Sequence, residues 1–390
     1  RAREDLGYLR RRGGASRRRT RLSTRRLSRA TTAPIALALA ALAVLALTPS
    51  AEAEQPREVT VISRNLYLGA NLDPAIGAGT VEQLVAATAH IFSVAQQTNF
   101  PERAKALAAE IADADPALVG LQEAAVWYTG PFGDPAPATT VEYDFIATLL
   151  RELAAAGARY EVVGVQPEAD IEAPAGAPYF RDVRLLQQDA ILVRTGPGHT
   201  VGLGPAWSDN FDAELSITTG TGQQYVVHRG WVAVDVTVKK QRFRFVNTHL
   251  EAFHPLVRLQ QAQELLAPDG PVGSARTPVV LVGDLNSGPE LPVPENRLAF
   301  QALLAAGLVD TWAVAHPADP GFTAGFNELL TDPSAEGALE HRVDHVLVTP
   351  DIDVVGSRLY GTDPDNRTAS GMWPSDHAGV AATLALPPKR

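Results

Sequence analysis

Between Thr277 and Ser287 the chain reads T-P-V-V-L-V-G-D-L-N-S, and no other stretch constrains the fold so tightly. Four consecutive apolar residues, Val279 to Val282, predict a strand buried on both faces, since a half-exposed strand would alternate apolar with polar residues. Gly283 then predicts a turn, with Asp284 and Asn286 projecting from the strand's end. Taken alone, a Gly-Asp-Leu-Asn-Ser sequence is equally well explained as a solvated turn. The same design recurs, however, and that tips the reading toward a site.

Residues 243–250 (F-R-F-V-N-T-H-L) are a β-rich run ending at His249; 117–123 (A-L-V-G-L-Q-E) end at Glu123; 59–65 (V-T-V-I-S-R-N) end at Asn65. Toward the C-terminus, Asp344 opens the apolar run of 341–349, and residues 375–379 (S-D-H-A-G) set Asp376 and His377 side by side just before another. Each strand thus delivers to its end a side chain able to bind a metal or a phosphate.

Residue types indicate the chemistry. Glu123 and Asp376 are hard oxygen donors of the kind that hold Mg²⁺, which takes one or two carboxylates and completes its shell with water and substrate phosphate. Asn65 would position the metal water or Glu123. Phosphoester hydrolysis also needs an activated water and donors aimed at the charge developing on the phosphoryl oxygens. Asp284 would orient or deprotonate the water, Asn286 would donate to the phosphoryl group, and His249 and His377 would flank it. Asp344 is the expected orienter of His377.

In chain order, R-N at 64 and 65, Q-E at 122 and 123, N-T-H-L at 247–250, G-D-L-N-S at 283–287, R-V-D-H at 342–345 and S-D-H at 375–377 resemble the motif series of the endonuclease/exonuclease/phosphatase superfamily. This is the deoxyribonuclease I-like group. The resemblance spans residues 57–386 and implies an α/β fold, a four-layer α/β/β/α sandwich of two mixed sheets face to face with helices outside. It implies the same assignments for Asn65, Glu123, His249, Asp284, Asn286, Asp344, Asp376 and His377, with Mg²⁺ as cofactor and Mn²⁺ or Ca²⁺ as alternatives. The chain departs from polyphosphate 5-phosphatases in lacking a Lys-rich region over residues 165–194, and from abasic-site nucleases in lacking their basic surface. Arg184 and Asp189 lie where a substrate-contacting loop and strand are expected, although surface salt bridges are the readier account of them and of Asp170.

Residues 1–32 are dominated by arginine and are followed by the uncharged run 33–47 and the small-residue site Ala51-Glu52-Ala53. A basic region, a short apolar region and such a site predict a secretory leader over 1–53, cleaved after Ala53, with residues 54–390 forming a single catalytic domain in a secreted monomer. The whole chain has 34 Lys and Arg against 44 Asp and Glu; the leader takes 12 and 3 of these, leaving 22 against 41, a net −19. Such a protein repels polyanions in bulk, which disfavours nucleic acid as partner and favours a small or lipid phosphodiester, with transient contact at a membrane surface. The absence of cysteine excludes disulfides, thiol catalysis and Cys-based zinc sites.

Helices are predicted over 80–93, 101–112, 144–156, 256–266 and 297–306, and further strands over 160–165, 189–194, 225–238 and 351–355. His254, His316, His341 and His345 read as structural, as do Trp127, Tyr128, Trp207, Trp312 and Trp373, for which a lipid-facing rim is the alternative. The expected activity is metal-dependent phosphoester hydrolysis by water attack at phosphorus. A secreted nuclease and a non-catalytic binding protein of the same fold are the alternatives.

Overall fold

The computed structural model describes residues 57–387 apart from 219–221 and 223; the leader and cleavage site expected over 1–53 lie outside the described residues. From β1 (Arg57–Asn65) the chain passes through α1 (Asp73–Ile76), α2 (Val81–Gln97) and α3 (Phe100–Ala114) to β2 (Leu118–Gln122), β3 (Val126–Pro131), β4 (Thr140–Asp144), α4 (Phe145–Ala155), β5 (Arg159–Ala175) and β6 (Arg181–Thr195). Next come β7 (Val201–Asn210), β8 (Leu215–Thr218), β9 (Gln224–Val227), β10 (Gly230–Val238), β11 (Gln241–His249) and α5 (Pro255–Leu266). The last part holds β12 (Val279–Asp284), α6 (Leu298–Ala305), β13 (Val309–Asp310), α7 (Thr311–Ala315), β14 (Asp344–Val348), β15 (Asp353–Tyr360) and β16 (Gly379–Leu386).

Two large mixed sheets result. One has the order β15-β16-β1-β2-β6-β3-β4, with β5 paired on β6; the other has the order β13-β14-β12-β11-β10-β7. The parallel pairs are β1 with β2 and β11 with β12. Period-two alternation sorts the side chains between layers. On β1, Val59 and Val61 join Phe243 and Phe245 of β11, Val280 and Val282 of β12, and Val346 and Val348 of β14 in a core between the sheets. The opposite face of β1 turns Ile62 toward Phe92, Leu107 and Leu149 of α2, α3 and α4. Leu281 and Val246 pack on Leu265 of α5 and Phe300 of α6. Helix, sheet, sheet and helix are therefore stacked as expected, each buried Val or Phe adding about 1.5–3 kcal/mol to the drive for that stacking.

The predicted helices form, although α2 runs on to Gln97, past the end expected at 93. Thr80 caps α2 by accepting from Gln83 N–H, and Asp144 caps α4 by accepting from Ala147 N–H. Among the strands, the surprise is the long β5–β6 ribbon, where sequence predicts only 160–165 and 189–194. Pro167 and Pro174 make the intervening run look like loop, but β5 pairs only with β6, and a strand with one free edge tolerates proline. The expected strand 225–238 is broken into β9 and β10 at His228 and Arg229. Gly283 does not turn the chain; it stays within β12, where a Cβ would lie 2.1 Å from Thr248 O, so its role is the close approach of β11. Trp127, Trp312 and Trp373 are buried, not rim-exposed. Among the described residues, no helix is long and apolar enough to cross a membrane.

Candidate active site

The alternation that fills the core also builds the site. Along β11 the inward face reads Phe243, Phe245, Asn247, His249; along β12 it reads Val280, Val282, Asp284; along β14, read backwards, Val348, Val346, Asp344. The apolar filling ends at one mouth, and polar residues continue the same face. Strand register sets His249 beside Asp284 and Asp284 beside Asp344, while β1 and β2 bring Asn65 and Gln122 to the same end. Just below the mouth, Gln122 donates to Asn247 Oδ1 at 2.6 Å, and Asn247 donates to Leu121 O and Ala190 O at 2.9 and 3.1 Å. Gly120 makes room for this polar floor, since a Cβ there would lie 2.4 Å from Val282 Cγ2 and 2.6 Å from Asn247 Oδ1.

At the mouth, His377 Nδ1 is 2.8 Å from Asp344 Oδ2 and 3.7 Å from Asp284 Oδ2. His249 Nε2 is 3.6 Å from the same Asp284 oxygen. Asn65 Nδ2 donates to Asp284 Oδ2 at 3.1 Å, and Asn286 N–H donates to Asp284 Oδ1 at 2.9 Å. Asn286 Nδ2 lies 3.1 Å from His249 Nε2. Asp284 is thus the hub, held on both oxygens. Asn65 has its Oδ1 occupied by Tyr67 N–H at 2.8 Å, so both ends of its amide are engaged and its place is to orient Asp284.

Glu123 and Asp376 both line the cleft, with Glu123 Oε2 accepting from Leu68 N–H at 2.8 Å. Glu123 has φ 55° and Asn286 φ 46°, left-handed conformations that cost a non-glycine residue about 1–3 kcal/mol unless the surroundings impose them. Two such residues aim their side chains into one cleft. Arg103, fully buried, donates to Leu66 O, Thr98 O and Pro374 O and so ties the segment after β1 to the one carrying Asp376. Arg64 pairs with Glu110 at 3.1 Å and donates to His377 O.

The electrostatics follow from enclosure and neighbours. Burial, then the charge of Asp376, pushes the Glu123 carboxyl up to about 7. Burial, then Asp344, pushes Asp284 up to about 6. Asp376 is raised, chiefly by burial. Burial works against a charged His377, but Asp344, Asp376 and Asp284 outweigh it and hold the imidazole well above its ordinary value. Four carboxylates face one imidazolium, and a set of hard oxygens short of positive charge fits a divalent cation at Glu123 and Asp376. Asp344 Oδ1, buried without a partner, adds to the excess of acceptors.

A second polar group adjoins the first. Arg229 Nη1 donates to Glu168 Oε2 at 2.9 Å and lies 3.0 Å from His249 Nδ1. A guanidinium only donates, so His249 Nδ1 accepts and the proton of the neutral ring sits on Nε2, facing Asp284; the Asn286 amide nitrogen beside Nε2 then gives its hydrogen to Leu250 O, 3.0 Å away, and not to the ring. Burial, then the Arg229 charge, then that of His377, drive His249 well below its ordinary value. Asp189 is wholly buried beside Glu168 and His249, their ligand atoms within 4.8 Å of one another, and neither of its oxygens has a hydrogen-bond partner. Burial, then Glu168, raise its carboxyl well above the usual range. Asp189 is therefore brought to the site, and the surface salt bridge expected for it does not form. Arg184 is not brought there: it points to the other face of the β5–β6 ribbon and pairs with Asp170 at 2.6 Å. Arg229, Glu168, Arg103 and Arg64 were missed by sequence reasoning. Only Arg64 carried a signal, as the residue before Asn65 in the R-N motif.

The model of the Endonuclease/Exonuclease/phosphatase family matches residues 94–377. The chain belongs to this family, whose members are metal-dependent hydrolases of phosphoesters. Among solved structures it is similar to the endonuclease/exonuclease/phosphatase from Beutenbergia cavernae DSM 12333, at 21% identity over 85% of this chain and 72% of that one, with a TM-score of 0.51. It is similar also to an endonuclease/exonuclease/phosphatase family protein from Bacteroides thetaiotaomicron, at 18% identity over 86% of this chain and 100% of that one, again with a TM-score of 0.51. Both establish the shared fold. No curated protein matches the chain.

Proposed function

We propose that this protein is a secreted, Mg²⁺-dependent phosphodiesterase acting on a small phosphodiester or a lipid headgroup, with water attacking phosphorus. The observation that carries the reading is the pair of histidines of opposite charge state set around one buried acceptor, Asp284. Asp284, held by Asn65 and Asn286 N–H, accepts a proton from water, and its raised carboxyl suits it to that task near neutral pH. His377, charged against Asp344, donates to a phosphoryl oxygen, and neutral His249 donates through Nε2. Glu123 and Asp376 would hold the metal, which when bound would polarise the phosphoryl group and offset its charge.

The choice of substrate class rests on charge. Arg229 is the one Lys or Arg among the described residues lining the cleft, and it is already committed to Glu168 and His249. With a net −19 outside the leader, a long polyanion finds no basic track leading to the mouth.

The test is release of product from bis-p-nitrophenyl phosphate, sphingomyelin, DNA, RNA and inositol phosphates, with Mg²⁺ and with EDTA. Metal-dependent turnover of small or lipid diesters ahead of duplex DNA at low salt is expected. Faster nicking of plasmid DNA than of every lipid and small ester would restore the nuclease, and no metal-dependent turnover at all would leave a binding protein.

A further inference from the structure

The cleft that holds the site extends well beyond it, enclosing about 460 Å³. Its far part is walled on one side by the β5–β6 ribbon. The register pairs Ile171 with Leu185 and Ala173 with Val183, and these side chains line the cleft. On β6, Gln187 continues that stripe along the cleft toward the catalytic mouth, so the apolar wall and the polar site form one surface. The opposite wall is made by α1 and α2 through Leu72, Ile76 and Leu84, and Trp127 closes the floor.

What these walls lack is as informative as what they present. Most polar side-chain atoms of these walls are already engaged within the protein: Trp127 Nε1 donates to Leu68 O at 2.9 Å, Thr88 Oγ1 donates to Leu84 O at 2.9 Å, and Glu172 accepts from Ala138 N–H at 3.1 and 3.0 Å, while the exposed Asp73 carboxylate stands at the rim with Asn71 Nδ2 donating to it at 3.2 Å. The nearest Arg of the ribbon, Arg184, is held on the reverse side by Asp170. A sugar or a nucleobase placed here would be desolvated without gaining partners, at a cost of about 1–3 kcal/mol per stranded polar group. A hydrocarbon chain has no such loss.

Resting on the phosphodiesterase reading, we propose that the far part of the cleft is an alkyl subsite: one ester substituent of the substrate is an unbranched hydrocarbon chain, seated between the β5–β6 ribbon and the α1–α2 wall while its phosphate sits at the mouth. The specificity then lies in the chain as well as in the phosphate.

The test uses a series of methyl n-alkyl phosphate diesters, from methyl to decyl, kept below their aggregation concentrations and followed by phosphorus NMR. The expected result is a rise in kcat/KM of up to about fourfold per methylene, the equivalent of ~0.8 kcal/mol per buried CH₂, levelling off once the cleft is full. Ala173→Trp, which fills the subsite, and Ile76→Glu, which makes its half-buried rim polar, should each collapse the decyl-to-methyl ratio toward one. Calorimetry on the metal-free protein provides a readout independent of turnover: decyl phosphate should bind more tightly than methyl phosphate, with a negative heat-capacity change. Equal kcat/KM at every length, or ratios unchanged in both variants, would overturn the subsite and leave the hydrolase standing. Absence of turnover for every diester would instead overturn the reading on which it rests.

Discussion

His249 and His377 flank the same carboxylate, 3.6 and 3.7 Å from Asp284 Oδ2, and yet they are driven in opposite directions. His377 gives Nδ1–H to Asp344 and faces two further carboxylates; His249 meets the fixed cation of Arg229. Enclosure disfavours the charged form of both. Around His377 three anions reverse that penalty, whereas at His249 a cation adds to it. The difference shows that burial, common to both rings, favours the neutral form and is overridden only where carboxylates stand behind the ring. One ring is held as an imidazolium and the other as a neutral Nε2–H donor, and the two can serve one phosphoryl group without exchanging roles.

The contrast breaks hardest at His377. Its replacement by Ala removes the charged donor and is expected to lower kcat/KM by about 10³–10⁴ with the fold retained. A loss below tenfold in a folded His377→Ala protein would show that the imidazolium is a bystander.

A third histidine takes the contrast away from the mouth. His345 packs against Phe300 with ring centroids 4.5 Å apart and planes tilted by 31°, and has Nε2 2.9 Å from Ser287 O. Burial holds it down to about 4, against an ordinary 6.5. Above pH 6.5 it is neutral in both folded and unfolded states. As pH falls below 6.5 the unfolded chain takes up a proton that the folded chain refuses, so stability is lost through the window from 6.5 to 4, on the order of 3 kcal/mol in all. Denaturant midpoints across that window should fall less steeply in His345→Gln; an unchanged slope would mean that His345 is not the group responsible.

These histidines also mark how far the sequence can be read. His249 and His377 are legible because they end or precede apolar runs, and a period-two pattern that stops at a polar residue is a local signal. Asp284 and Asp344 are legible for the same reason, as is the layer order, since it follows from strand and helix periodicity. Arg229 and Glu168 are not, because a buried ion pair between residues 61 apart depends on a strand register that no local pattern encodes. The β5–β6 ribbon is hidden by Pro167 and Pro174, whose cost depends on whether a strand has one neighbour or two. Position in the chain places Arg184 near the site, but the face of the ribbon decides, and it turns the side chain away from the cleft.

Asp344 offers a finer test of what sits behind His377. If it acts only through the ring, Asp344→Asn should lower kcat/KM by about 10², less than His377→Ala, and the double variant should be no worse than His377→Ala alone. Fully additive losses would give Asp344 a role of its own, for which its unpartnered Oδ1 is the obvious atom.

The smallest expected effect comes from the other side of the contrast. Removing Arg229 alone would strand Glu168 as an unpaired buried charge, so the informative variant couples Arg229→Met with Glu168→Gln, which keeps volume and leaves Gln187 Nε2 a carbonyl oxygen to meet at that position. His249 then loses the nearby cation but remains buried, and burial is the larger of the two forces on it. Its pKa should therefore rise without returning to 6.5. The acid limb of kcat/KM is set by Asp284, raised to about 6 and required as the carboxylate, so the rise at His249 is read from its own imidazole NMR titration, and kcat/KM should change by less than about tenfold. A His249 titration that stays where it is in the double variant would mean that burial alone keeps His249 neutral, and the contrast between the two histidines would then rest entirely on the carboxylates around His377.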